Sequence, residues 1–116
     1  MNQLIGKTIH GKIFKCSNCN AIHIEFKNIG INLSENQFRS FTESILAIDG
    51  DEWEERNRDA DFTRKILLPT GHQAINILLN KQELNELKEL LTDRTGTKVI
   101  FQHFSTDNFR LPSFCN

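Results

Sequence analysis

No apolar run in this sequence approaches the ~20 residues needed to cross a bilayer, so no membrane role is expected. The opening residues, Met1 to Lys7, carry no apolar signal-peptide core, and cytoplasmic residence is the expectation. An excess of one charge is also missing. The formal net charge is -1, whereas generic binders of nucleic acid or anionic membrane show a basic excess, so no nucleic-acid partner is expected. Cysteine is scarce. There are three, an odd number, and only Cys16 and Cys19 are close together. That pattern excludes the disulfide framework of a small secreted domain. No glycine-rich loop leads into a helix, so phosphate-binding signatures are missing. The histidines are scattered, and nothing pairs one of them with a nucleophile. The acidic run from Asp51 to Asp61 lacks the ligand order and central glycine of a calcium loop. No catalytic constellation remains, and a protein without enzymatic activity is expected.

What the sequence does contain is a pattern that occurs twice. Ile29-x-Ile31-x-Leu33 leads into Ser34, and Ile75-x-Ile77-x-Leu79 leads into Asn80. Each is a short apolar alternation followed by a helix cap. Ser34 has Gln37 three positions on, and Asn80 has Glu83, which matches the capping box. Phe38, Phe41, Ile45 and Ile48 then form one helical stripe, and Leu84, Leu87, Leu90 and Leu91 form the other. Gly50 and Gly96 are read as the helix stops.

Ahead of the first copy, Lys7 to Cys16 reads as a strand with a break, where Gly11 marks a bulge or a turn between two short strands. Ile22-His23-Ile24-Glu25-Phe26 alternates strictly, so Ile22, Ile24 and Phe26 face a core and His23 and Glu25 face away. These two runs flank the cysteine turn as a hairpin. Ahead of the second copy, Thr63 to Leu68 and Ala74 to Leu79 flank the turn Pro69 to Gln73. Lys98 to Phe104 is a last strand.

The expected fold is one α+β domain over residues 1–116. It is a tandem hairpin-plus-helix repeat with units at about 8–50 and 62–104. One mostly antiparallel sheet of about five to seven strands would carry both helices on one face. Asp51 to Asp61 would be an exposed acidic connector with room for a short helical turn. Residues 105–116 would be an aromatic C-terminal tail, whose Phe109 and Phe114 pack on the domain or on a second copy. Trp53, Phe62 and Phe104 either complete the core or mark a protein interface.

The one stretch with metal chemistry is Cys16-Ser17-Asn18-Cys19-Asn20. The spacing is that of a zinc knuckle, whose tight turn points backbone amides at the thiolates, and Asn20 suits the left-handed conformation such a turn needs. A structural zinc site takes four protein ligands, and a second Cys-x-x-Cys is missing. The residues that could complete it are His23, Cys115, His10 and His103, or a second chain could share the ion. His23 is expected to project away from the loop. The alternatives are free thiols in an empty knuckle-shaped turn, or a redox pair. The redox reading lacks the helix N-terminus that lowers a thiol pKa in thioredoxin-like folds.

The order of these features resembles a family of small uncharacterised bacterial proteins, from the Bacteroidota, with an N-terminal Cys-x-x-Cys. Cys16-x-x-Cys19, the strand Ile22 to Phe26, the Leu33-Ser34 helix start and Asn80-Lys81-Gln82-Glu83-Leu84 carry the resemblance, which runs from Lys12 to Leu91. It implies no activity and transfers no catalytic residue. The functional expectation is a protein-interaction or self-associating module, with a protein partner or homodimer. The alternatives are a small zinc-binding regulatory module and a thiol-dependent enzyme.

Overall fold

The computed structural model describes residues 3–94. The expected strand Lys98 to Phe104 and the aromatic tail, with His103 and Cys115, lie outside the described residues. The fold class is α+β, as expected. Strands β1 (Gln3–Thr8), β2 (Gly11–Lys15), β3 (Ile22–Phe26) and β4 (Ile29–Leu33) form an antiparallel meander in that order. Of the two readings of Gly11, the turn between two short strands is the one found, with Gly11 opening β2. Helices α1 (Glu35–Leu46) and α2 (Gly50–Arg56) follow. A two-stranded hairpin of β5 (Ile66–Pro69) and β6 (Asn76–Leu79) then leads into α3 (Lys81–Thr92).

Period-2 alternation gives the four-stranded sheet two different faces. Ile13 pairs with Ile24, and Ile24 with Ile31, while Ile22 and Phe26 pair with Leu33 and Ile29. These residues share the core face. The next residues along each strand point the other way, so Leu4, Phe14, His23 and Asn32 form one cross-strand row on the opposite face, which among the described residues lies open. A bulge between Leu4 and Gly6 places Ile5 and Gly6 together on the buried side.

Both helices that follow a hairpin begin where the caps dictate. The Ser34 and Asn80 side chains each accept from the backbone N–H three residues on, and Gln37 and Glu83 return the bond. Phe38, Thr42 and Ile45 of α1 and all four stripe leucines of α3 are buried. They join the sheet's core face in one cluster, which also takes in Ile66, Leu68 and Leu79 of the second hairpin. α3 is the central element, touching β1, β2, β6, α1 and α2. Its end lies against Gly6. A Cβ there would stand 2.6 Å from the Asp93 carbonyl oxygen, so no side chain fits.

Three expectations are corrected. Gly50 does not stop α1. That helix ends at Leu46, Ala47 caps it, and the Ile48 carbonyl accepts from Lys88 Nζ at 2.6 Å. Gly50 instead opens α2, and it is buried against Lys81 and Leu84 of α3. Second, the acidic stretch holds more than a short helical turn, because α2 takes in its first half. Asp49 caps α2, its side chain accepting from Asp51 and Glu52 N–H. Asp51 and Glu52 sit at the positive end of the helix dipole and Arg56 at the negative end. Trp53 packs against the core, with the Arg56 guanidinium over its ring. Third, the described strands form two sheets rather than one. α2 packs on both α3 and β5, and the β5–β6 hairpin joins the core through its side chains without pairing to β4. Phe62 remains on the surface.

Candidate metal centre

The β2–β3 connection is short because the ladder continues past the strands. Cys16 N–H donates to the Ala21 carbonyl at 2.9 Å. Four residues, Ser17 to Asn20, make the turn, and Asn20 takes the left-handed conformation with φ of 55°. The turn folds back so that Cys19 N–H donates to Cys16 Sγ at 3.3 Å. This amide-to-sulfur contact is the one a knuckle needs. Cys16 is half-buried and Cys19 exposed, and both are free thiols.

Sheet parity brings His23 to the same place. Ile13 faces the core, so Phe14 and Cys16 face the open side, and His23 stands directly opposite Phe14. Cys16 and His23 are then diagonal neighbours on one face. The turn curls over that face. The expectation that His23 projects away from the loop is therefore corrected: its Nε2 lies 3.5 Å from Cys19 Sγ. The ligand atoms of Cys16, Cys19 and His23 all fall within 4.8 Å of one another.

Asn32 fixes the imidazole. Its Oδ1 accepts from His23 Nδ1–H at 2.5 Å. With that nitrogen protonated, the Nε2 lone pair of the neutral ring faces the cysteines. The Phe14 ring packs beside the imidazole, with centroids 5.1 Å apart. Sequence reasoning missed both supporting residues. The signal for Asn32 was present, because a two-residue hairpin turn at Lys27-Asn28 sets the register that places His23 opposite Asn32. Lys27, with φ of 55°, takes the left-handed position that such a turn requires.

The electrostatics favour a thiolate. The Cys16 thiol is lowered to about 7, chiefly by its hydrogen bond with the Cys19 side chain, then by the backbone amides of Cys19 and Asn18. His23 is raised, first by the Asn32 hydrogen bond and also by Cys16. Two thiolates and an imidazole suit zinc and other soft or borderline ions. On a tetrahedral zinc with usual bond lengths, neighbouring sulfur and nitrogen ligands are about 3.6 Å apart. The Cys19–His23 separation already matches that edge.

The other sequence candidates are elsewhere. His10, in the β1–β2 turn, sits at the far end of β2 from Cys16. Its ring nitrogens lie 3.8 Å from Glu86 and from Glu89. His103 and Cys115 fall outside the described residues. Among the described residues, Cys16, Cys19 and His23 form the one metal-ligating group of this kind.

Fold and site together define a small α+β domain with a Cys–Cys–His group at a hairpin tip. The chain belongs to a family of unknown function, DUF6686, whose model matches residues 1–116. Within it, the Cys-x-x-Cys lies in the second hairpin connection, not at the start of the chain. No curated protein and no solved structure matches the chain. Among the described residues, no helix is long and apolar enough to cross a membrane.

Proposed function

We propose that this protein is a non-enzymatic zinc-binding module, in which Cys16, Cys19 and His23 hold the ion and the clasped hairpin serves contact with a protein partner. The observation that carries this is the convergence of three ligand atoms within 4.8 Å. The supporting features are the amide aimed at Cys16 Sγ and the Asn32 bond that leaves Nε2 free. Ligating histidines usually donate their other nitrogen to such an acceptor. Free thiols in this pair suit a reducing compartment, so cytoplasmic residence belongs to the proposal, as does the bacterial, Bacteroidota origin that the sequence suggests. The near-neutral charge favours a protein partner over nucleic acid.

The test is metal analysis of the full chain, purified without a histidine tag and with reductant present. Zinc near one equivalent is expected, and Cys16→Ser and His23→Ala should each lose it. A wild-type protein that neither retains zinc nor binds it on titration sinks the proposal.

The lowered Cys16 thiol supports a second reading, a thiol-dependent enzyme, in which the thiolate is a nucleophile beside His23 and Asn32. The two readings separate on alkylation. Rapid modification of Cys16 that added zinc does not slow favours the enzyme.

A further inference from the structure

We infer that Cys16 and Cys19 form a redox-controlled release for the ion: a hydroperoxide oxidises the two sulfurs to a disulfide, the metal is set free, and the hairpin keeps its shape. This rests on the zinc reading above and names the regulation of that site.

Both sulfurs are within reach of a small oxidant and of each other. Cys19 is exposed and Cys16 half-buried. Their Sγ atoms lie within 4.8 Å of one another. Ser17 to Cys19 are turn residues, and Cys19 N–H already donates to Cys16 Sγ at 3.3 Å. The first and fourth residues of a tight turn have Cα atoms less than about 7 Å apart, which overlaps the span of about 4.4–6.8 Å that a disulfide bridges. Closing the bond asks for side-chain rotation at Cys19, whose exposure leaves room for it.

Access makes Cys19 the first to react. Its thiolate attacks one peroxide oxygen, the O–O bond breaks, hydroxide leaves, and the sulfur is left as a sulfenic acid. The Cys16 thiolate attacks that sulfur. The S–S bond forms, the S–O bond breaks, and a second hydroxide leaves. The two sulfurs give up two electrons to the peroxide, and two protons from solvent turn the hydroxides into water. Thiolates are the metal ligands, and the disulfide has none. Of the three protein ligands His23 alone remains, too few for a structural zinc site. A disulfide this exposed is also readily reduced, so the release is reversible by thiols.

The hairpin does not depend on the ion. Phe14 pairs with His23 and Lys15 with Ile22, and Cys16 N–H donates to the Ala21 carbonyl at 2.9 Å. Ile13, Ile22 and Ile24 are buried on the other side of the sheet from the sulfurs. Oxidation therefore changes metal occupancy and leaves the register in place.

Stepwise hydrogen peroxide titration of the zinc-loaded full chain tests this. A chromophoric chelator reads the zinc released. Alkylation and tryptic mass mapping read the disulfide, because Lys15 and Lys27 bound one peptide that holds both cysteines. One zinc should be released for each disulfide formed, with that peptide lighter by two hydrogens, and dithiothreitol should restore binding. Amide NMR shifts should move around Cys16 to His23 and keep the strand pattern of β2 and β3. If that disulfide forms while zinc stays bound, or if zinc leaves while the peptide gains oxygen instead, the inference is wrong and the zinc reading stands. Loss of the β2–β3 strand pattern on oxidation also overturns it. Failure of the reduced wild type to bind zinc removes both.

Discussion

Asn32→Ala is the most direct probe of how the fold prepares the site. Asn32 touches no proposed ligand atom. It only accepts from His23 Nδ1–H, at 2.5 Å. Removing the acceptor from this exposed bond leaves that N–H to water, so the folded protein without metal should lose only about 0.5–1.5 kcal/mol. The effect on metal binding should be larger. The free imidazole would then divide between tautomers, and the ring would turn more freely beside Phe14. Loss of such supporting hydrogen bonds usually costs 10–100-fold in metal affinity, or about 1.4–2.7 kcal/mol. The assay is zinc competition against a chromophoric chelator, with urea unfolding of the metal-free variant as the control. Asn32→Asp keeps an acceptor and should hold affinity near the wild type. An Asn32→Ala protein that binds zinc within about twofold of wild type would refute the claim that His23 is positioned through Nδ1.

Other outcomes follow from the packing and the charges. Leu90→Ala empties a fully buried position on α3 and should cost about 2–5 kcal/mol in urea unfolding. Gly6→Ala forces a Cβ to 2.6 Å from the Asp93 carbonyl oxygen; the end of α3 must shift, costing about 1–3 kcal/mol and lowering the unfolding temperature. The Glu83 carboxyl is held below its ordinary range, first by its hydrogen bond with Arg64, and burial opposes this. A depressed folded-state value adds stability above the unfolded value of about 4.3 and loses it as pH falls through the folded value. Unfolding temperature should therefore drop on acidification below about pH 5. Glu83→Gln, which keeps the capping box, should flatten that drop.

The sequence carried the local features well and the non-local ones poorly. The Ile22 to Phe26 alternation and the two capping boxes depend on residues within a few positions of one another, and each stands as expected. Gly50 was misread because a glycine after an apolar stripe suits either a stop or a start. The deciding signal was Asp49 with Asp51, Glu52 and Arg56, an acidic entry and basic exit on one short helix. The division into two sheets depends on which edges meet across long separations, which alternation does not encode. At the site, the knuckle was legible from Cys16, Cys19 and Asn20. His23 was named as a completing ligand, but its direction was misread, because its approach depends on strand register and on the face toward which the turn curls. Parity from Ile13 and Ile22 contained half of that answer.

The central place of α3 also bears on how the protein is made. The meander and α1 lie within the first 46 residues, yet Ile5 and Ile13 share their core with leucines at 84 to 91. During synthesis at roughly 5–20 residues per second, that apolar sheet face leaves the ribosome seconds before the helix that covers it. A hairpin already closed at Cys16 to Ala21 during that interval would hold β2 and β3 in register while the rest of the chain arrives.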